Sequence, residues 1–445
     1  MMKTYLYGLA TTLFLPGLLF AQPASTHTSS GKASQYPPEY ADFYTGQAGT
    51  TGEGVNWIES IQVASPAYGA DVSGDTQVHF TAPGMTKVTA FCWQQPTAED
   101  SSPWGHDSTL ASDITLDAQG NGSFVFPADK YPNGPVTIRI YGKGDANKQD
   151  LCELQLFNKG GVPWNQGIPK SDPAAAQGMK LAFSDDFNGP LSVSNNGAGA
   201  TYESHKTGGG DFSGYPFSDA DGPLNPFSIE GGFLRIRASK PDGTKGASGI
   251  LSSAHEDGSG FYATTPCYFE CRLTAQSAPG TWPAFWMLTH PDKSAPKNTP
   301  VDEYDVIEAY GGRGKGNPNF VNYASTTHFW NYPEKPQWLL DKGPDGKPAT
   351  PSHCDVPMMS LGGKSSWSTT FHTYGIKITD TDTIYYLDDI EVLRHPTPDV
   401  SKTQPLFFMI NYAIGGISGW HIDLKRYGNQ SDMWVDYVRV YQGQK

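Results

Sequence analysis

Along most of its length the chain alternates apolar and polar residues with a period of two, the pattern of strands that bury one face. Between Val55 and Phe157 such runs recur at Ile61–Val63, Val78–Phe80, Val88–Phe91, Ser123–Phe126, Val136–Tyr141 and Leu154–Phe157. Turn-forming stretches such as Asp117–Gly122 and Tyr131–Gly134 separate them; their Asp, Asn, Gly and Pro residues supply the local hydrogen bonds and backbone angles that reverse a chain. A second set follows at Leu234–Ala238, Tyr268–Leu273, Thr373–Ile378, Thr383–Leu387 and Met433–Tyr441. No run repeats at a fixed period, which speaks against a propeller or solenoid and for sandwiches.

The spacing divides the chain. Residues 51–160 predict an immunoglobulin-like β-sandwich, 161–178 a Gly- and Pro-containing linker, and 179–445 a larger β-sandwich. Ahead of them, Lys3, the apolar run Leu9–Phe20 and the small residue Ala21 predict a signal peptide over 1–21, because the run is shorter than the roughly 20 residues a bilayer requires. Polar 22–50 reads as a flexible leader. The expected product is secreted or periplasmic, with no membrane span.

Composition sharpens this reading in three ways. Fifty glycines and 35 prolines favour an all-β chain rich in turns. A net charge of −14, with no cluster of Lys or Arg, disfavours nucleic acid or an anionic membrane surface as partner. A monomer is expected. The five cysteines, Cys92, Cys152, Cys267, Cys271 and Cys354, permit disulfides in an exported protein: Cys92 with Cys152, and Cys354 with Cys267 or Cys271. Bonding of Cys267 to Cys271 on one strand is out of reach.

The candidate chemistry lies in Glu303-Tyr304-Asp305-Val306-Ile307-Glu308. Glu303 and Asp305 share a strand face, whereas Glu308 would point to the opposite one unless a β-bulge in Val306-Ile307 shifts the alternation by one. With the bulge, three mutually repelling carboxyls line one surface. Glycoside hydrolysis uses such a set: one carboxylate attacks the anomeric carbon, and a second carboxyl protonates the leaving oxygen. An ionised Glu303 would help keep Glu308 protonated.

About twenty residues earlier lies Gly280-Thr281-Trp282-Pro283-Ala284-Phe285-Trp286-Met287-Leu288. Together with the acidic strand this resembles glycoside hydrolase family 16, whose active strand reads Glu-x-Asp-x-x-Glu. Further fragments match in order: Phe183–Phe187, Tyr268–Leu273, Thr326-Thr327-His328, Phe371–Gly375, Asn411–Gly416 and Val435–Tyr441. The resemblance covers about 180–443 and implies a concanavalin-like jelly roll, with Glu303 as nucleophile, Asp305 as its assistant and Glu308 as acid/base. It implies substrate contact for Trp282 and Trp286, whose indoles can stack on sugar rings, and for His328, Asn411 and Trp420. Asp436 stands where some relatives hold a structural calcium; no cofactor is expected for catalysis. The expected activity is endo-acting, retaining hydrolysis of a polysaccharide, foremost a β-1,3-containing glucan. The alternatives are a β-galactan of the agarose or carrageenan kind, transglycosylation, or a lectin-like binding protein. Thr299-Pro300-Val301-Asp302 and the insertion 333–360 depart from the glucan-cleaving pattern.

Overall fold

The computed structural model describes residues 56–444 apart from 96–105, 207–214, 291–294, 313–321, 357, 359–365 and 416–420. The expected signal peptide and leader, and Trp420, lie outside the described residues. All described residues belong to one unit, Tyr36–Lys445, and none of their helices is long and apolar enough to cross a membrane.

The N-terminal region is a two-sheet sandwich. One sheet runs in the order Asn56–Trp57, Lys148–Asn158, Gly134–Lys143, Lys87–Gln94, His106–Ala111; the other joins Gln62–Ser65, Asp75–Thr81 and Asn121–Pro127. Val78, Phe80, Phe124 and Phe126 of the small sheet pack against Val88, Ala90, Ile138, Ile140 and Leu154 of the large one. Alternation predicts that the other face of the large sheet meets water. Instead Thr137, Arg139, Tyr141, Glu153 and Gln155 are all buried, because this face docks on the second domain. Arg139 and Glu153, paired across adjacent strands, form an ion pair with no exposure on the glutamate, and Arg139 Nη2 donates to Ser366 Oγ and Ser368 Oγ at 2.8 and 2.7 Å. Ala278, Leu424 and Tyr427 of the second domain extend the core of the first.

The second domain consists of two eight-stranded sheets. The active sheet runs Val193–Ser194, Tyr202–Glu203, Gly249–Ser252, Leu406–Ile414, Thr281–Thr289, Val301–Glu308, Tyr323–Trp330, His353–Val356. The back sheet runs Phe227–Glu230, Phe233–Ser239, Gln430–Gln442, Cys267–Ala275, His372–Ile378, Asp382–Leu387, Ile390–Pro396, with Lys180–Asp185 also pairing Gln430–Gln442. Their inner faces enclose one core that includes Phe269, Leu273, Phe285, Met287, Phe408 and Val438. Antiparallel neighbours and long-range strand order give the jelly-roll arrangement the resemblance implies.

Two expectations change. The linker is no free tether: Gly167 N donates to Asp436 Oδ1 at 2.8 Å, Arg439 reaches Ser171 O, Tyr441 reaches Asp172, and Trp164 stacks on Phe233. It lies as a strap across the outer face of the back sheet. No disulfide joins any of the five cysteines. The strand Gly134–Lys143 separates Cys92 from Cys152, so they stand two inter-strand spacings apart, about 9.5 Å, beyond disulfide reach. Cys354 lies in the active sheet and Cys267 and Cys271 in the back sheet.

Candidate active site

The strand Val301–Glu308 shows how sequence becomes a site. Asp302 and Tyr304 point inward: Ser401 Oγ and the Tyr332 hydroxyl donate to Asp302 at 2.6 Å each, and Tyr304 meets Ser401 Oγ at 2.6 Å. Glu303 and Asp305 therefore take the outer face. Val306 and Ile307 then both enter the core, and the register slips against both neighbours, between Asp305 and Glu308 on one side and opposite Phe285 and Trp286 on the other. This is the required bulge, and it returns Glu308 to the outer face. A bulge leaves a backbone group without its ladder partner; here Ser325 Oγ donates to Val306 O at 2.8 Å.

Neighbouring strands bring polar groups to the acids by register. His328 stands opposite Glu303, with Nε2 3.2 Å from Asp305 Oδ2 and 3.9 Å from Glu303 Oε1. Trp330 Nε1 donates to Glu303 Oε2 at 3.1 Å while its ring stacks on His328. The Tyr310 hydroxyl and the Trp282 indole are directed at the Glu308 carboxyl. Trp330 and Tyr310 were missed in the sequence. Their signal was parity: Trp330 follows His328 by two on one strand, and Tyr310 follows Glu308 by two.

Trp282 and Trp286 lie on the outer face beside the acids and are buried among Phe217, Ile250, Phe407 and Met409. Trp286 Nε1 donates to Asn411 Oδ1 at 2.7 Å, and Asn411 Nδ2 reaches Trp282 O at 3.3 Å. Asn411 is buried, so the expected substrate contact becomes a support that holds both tryptophans in place.

Electrostatically the acids are under-compensated. Burial, then the charge of Asp305, pushes Glu303 up to about 8, against the opposing pull of His328 and Trp330. Burial raises Asp305 and Glu308 as well; the charge of Glu308 adds to the rise at Asp305, while Tyr310, His328, Trp282 and His353 pull Glu308 back. At neutral pH the triplet must hold protons. Glu303, Asp305 and His328 also place donor atoms within 4.8 Å of one another, close enough to hold a cation.

Asp436 is not an open ligand site. Arg272 bonds Oδ2 and the Gly167 amide bonds Oδ1, so a guanidinium occupies the position suggested for calcium.

Comparison with known proteins fits this geometry. The family described as Glycosyl hydrolases family 16 matches residues 242–438, a span that includes the acids, both tryptophans, His328 and Asn411. The endo-1,3-1,4-beta-glycanase EglC of Rhizobium meliloti (strain 1021) is 28% identical over 282 residues, 59% of this chain and 52% of that protein. A beta-glucanase of Rhodothermus marinus is 28% identical over 190 residues, 39% of this chain and 56% of that protein. The chain thus spans about half the length of these relatives. Among solved structures, the endo-beta-1,3-glucanase from Pyrococcus furiosus is 21% identical, covering 62% of this chain and 98% of its own, with a TM-score of 0.44. Over residues 242–438, the part of the second domain that carries the bulged acidic strand, the chain is thus similar to glycosyl hydrolase family 16.

Proposed function

We propose that the protein is an endo-acting, retaining glycosidase that cleaves internal β-glycosidic bonds of a β-1,3-containing glucan. The observation that carries the reading is the Val306 bulge, which sets Glu303 and Glu308 on one face with Asp305 between them. Glu303 attacks the anomeric carbon, Glu308 gives its proton to the departing oxygen, and water, deprotonated by Glu308, then releases the sugar from Glu303. Asp305, bridged by His328, takes up and returns charge as Glu303 changes state. Trp282 and Trp286 offer indole surface to sugar rings, and the names of the relatives support a glucan as substrate.

The test is a screen of laminarin, mixed-linkage glucan, agarose and carrageenan with product sizing, and with the anomeric configuration of early products followed by NMR. Oligomers of β-configuration from laminarin are expected. Initial α-configured products would exclude retention, and release from agarose or carrageenan alone would exclude the glucan.

A further inference from the structure

The N-terminal sandwich reaches the active site through a short chain of buried bonds. Glu153 sits on the face docked against the second domain, and its Oε1 accepts from Arg139 Nε and Ser368 Oγ at 2.9 Å each. Its Oε2 accepts the Ser277 amide at 2.8 Å, and its backbone carbonyl accepts Gln276 Nε2 at 2.6 Å. Gln276 and Ser277 begin the loop that leads into the strand of Trp282 and Trp286. The loop and the first residues of that strand hold the turn following Glu308: Gly312 N donates to Ser277 Oγ of the loop at 3.2 Å, and Gly311 N and Ala309 N donate to Thr281 O and Pro283 O of the strand at 2.8 and 3.1 Å. The approach is so close that a Cβ on Gly311 would stand 2.1 Å from Thr281 Oγ1 and 2.2 Å from Ala278 O. Tyr310 lies inside this clamp, with its ring 5.9 Å from Trp282 and its hydroxyl on Glu308.

We propose that Glu153 is a positioning residue for the acid/base Glu308, acting through the Gln276–Gly280 loop and the Ala309–Gly312 turn that present Tyr310. The N-terminal sandwich is then a structural part of the active site. The inference rests on the reading of Glu308 as acid/base. A carboxylate suits the position because three donors converge on it, one of them a buried guanidinium; an amide would set its own NH₂ against one of them.

The groups that act on Glu308 are Asp305 and Glu303 on its own strand, His328 and His353 on the next two, and the donors Tyr310 and Trp282. A donor to the carboxylate favours its charged form. Displacing Tyr310 should therefore raise the alkaline limb of the kcat/KM profile, which reports loss of the acid's proton in free enzyme.

The experiment measures melting temperature and the laminarin pH profile for the full chain and four variants. Glu153→Gln is expected to lower kcat/KM roughly 10- to 100-fold, as a displaced catalytic neighbour can, and to move the alkaline limb upward. Tyr310→Phe should move the limb likewise, and the double variant should add little. Trp164→Leu loosens the same two domains elsewhere, at the Asn133 carbonyl and the Phe233–Phe371 stack, and should lower the melting temperature while leaving the limb in place. Should Glu153→Gln fail to fold, Glu153→Asp keeps the charge but withdraws it from the Ser277 amide, and the same upward limb is expected. A wild-type limb in the folded Glu153 variant, or the same limb shift in Trp164→Leu, overturns the proposal. Full turnover in Glu308→Gln would instead overturn the acid/base reading beneath it.

Discussion

The outer faces of the two sheets each carry a group of three buried or nearly buried carboxyls, and they treat them differently. On the back sheet every one is matched by an arginine: Asp432 takes a bidentate pair from Arg237 at 2.7 Å, Asp436 pairs with Arg272, and Glu270 pairs with Arg439. On the active sheet the described partners of Glu303, Asp305 and Glu308 are the histidines His328 and His353 and neutral N–H and O–H donors, with no arginine among them. Burial pushes carboxyls upward on both faces, but the arginines beside Glu270 and Asp436 pull back. Matched charges fix the strap and the sheet; unmatched ones keep protons that can move. The contrast separates a structural acid from a reactive one more clearly than burial does.

The largest way to break the contrast is to exchange acids for amides on both faces. Glu303→Gln and Glu308→Gln should each lower kcat by about 10²–10⁴-fold or more without loss of stability, measured by laminarin turnover and urea unfolding. Asp436→Asn should do the reverse, leaving the Arg272 charge buried and costing about 3–5 kcal/mol while folded molecules retain their turnover. If Asp436→Asn abolished turnover at full stability, the division between the two faces would fail.

A pH series sharpens the contrast next. Glu303 has an ordinary value of 4.5 and is pushed to about 8 in the fold, so the native state binds more protons than the unfolded chain between these values. Stability associated with this group is present below the lower value and lost as pH rises towards the upper one. Thermal melts of Glu303→Gln and wild type should therefore diverge in favour of the variant from pH 5 to pH 8. A constant offset would mean that Glu303 is not carrying a raised proton affinity. The smallest effect is expected at the bulge: Ser325→Ala leaves the Val306 carbonyl unpaired and should cost about 1–3 kcal/mol in urea unfolding.

Strand parity made much of this legible. Two acids two apart share a face, a third five away requires an added residue, and Val306-Ile307 as consecutive core residues supply it. His328 follows from the resemblance, through its place in Thr326-Thr327-His328. What counting missed depends on partners distant in sequence. The resemblance implies a sugar contact at Asn411, but the Trp286 indole claims its side-chain oxygen. Arg139 lies on a strand face that alternation alone would leave to solvent and that the second domain covers.

By itself the sequence determined the two sandwiches, the outward set of acids and tryptophans, and the need for a bulge, since each follows from period-two geometry within a strand. Only the tertiary structure decided which carboxyls have arginine partners, that the cysteines stay apart, and that the linker and the N-terminal sandwich are locked to the second domain. Those outcomes depend on which strands become neighbours, and charge pairing and desolvation act between neighbours in space.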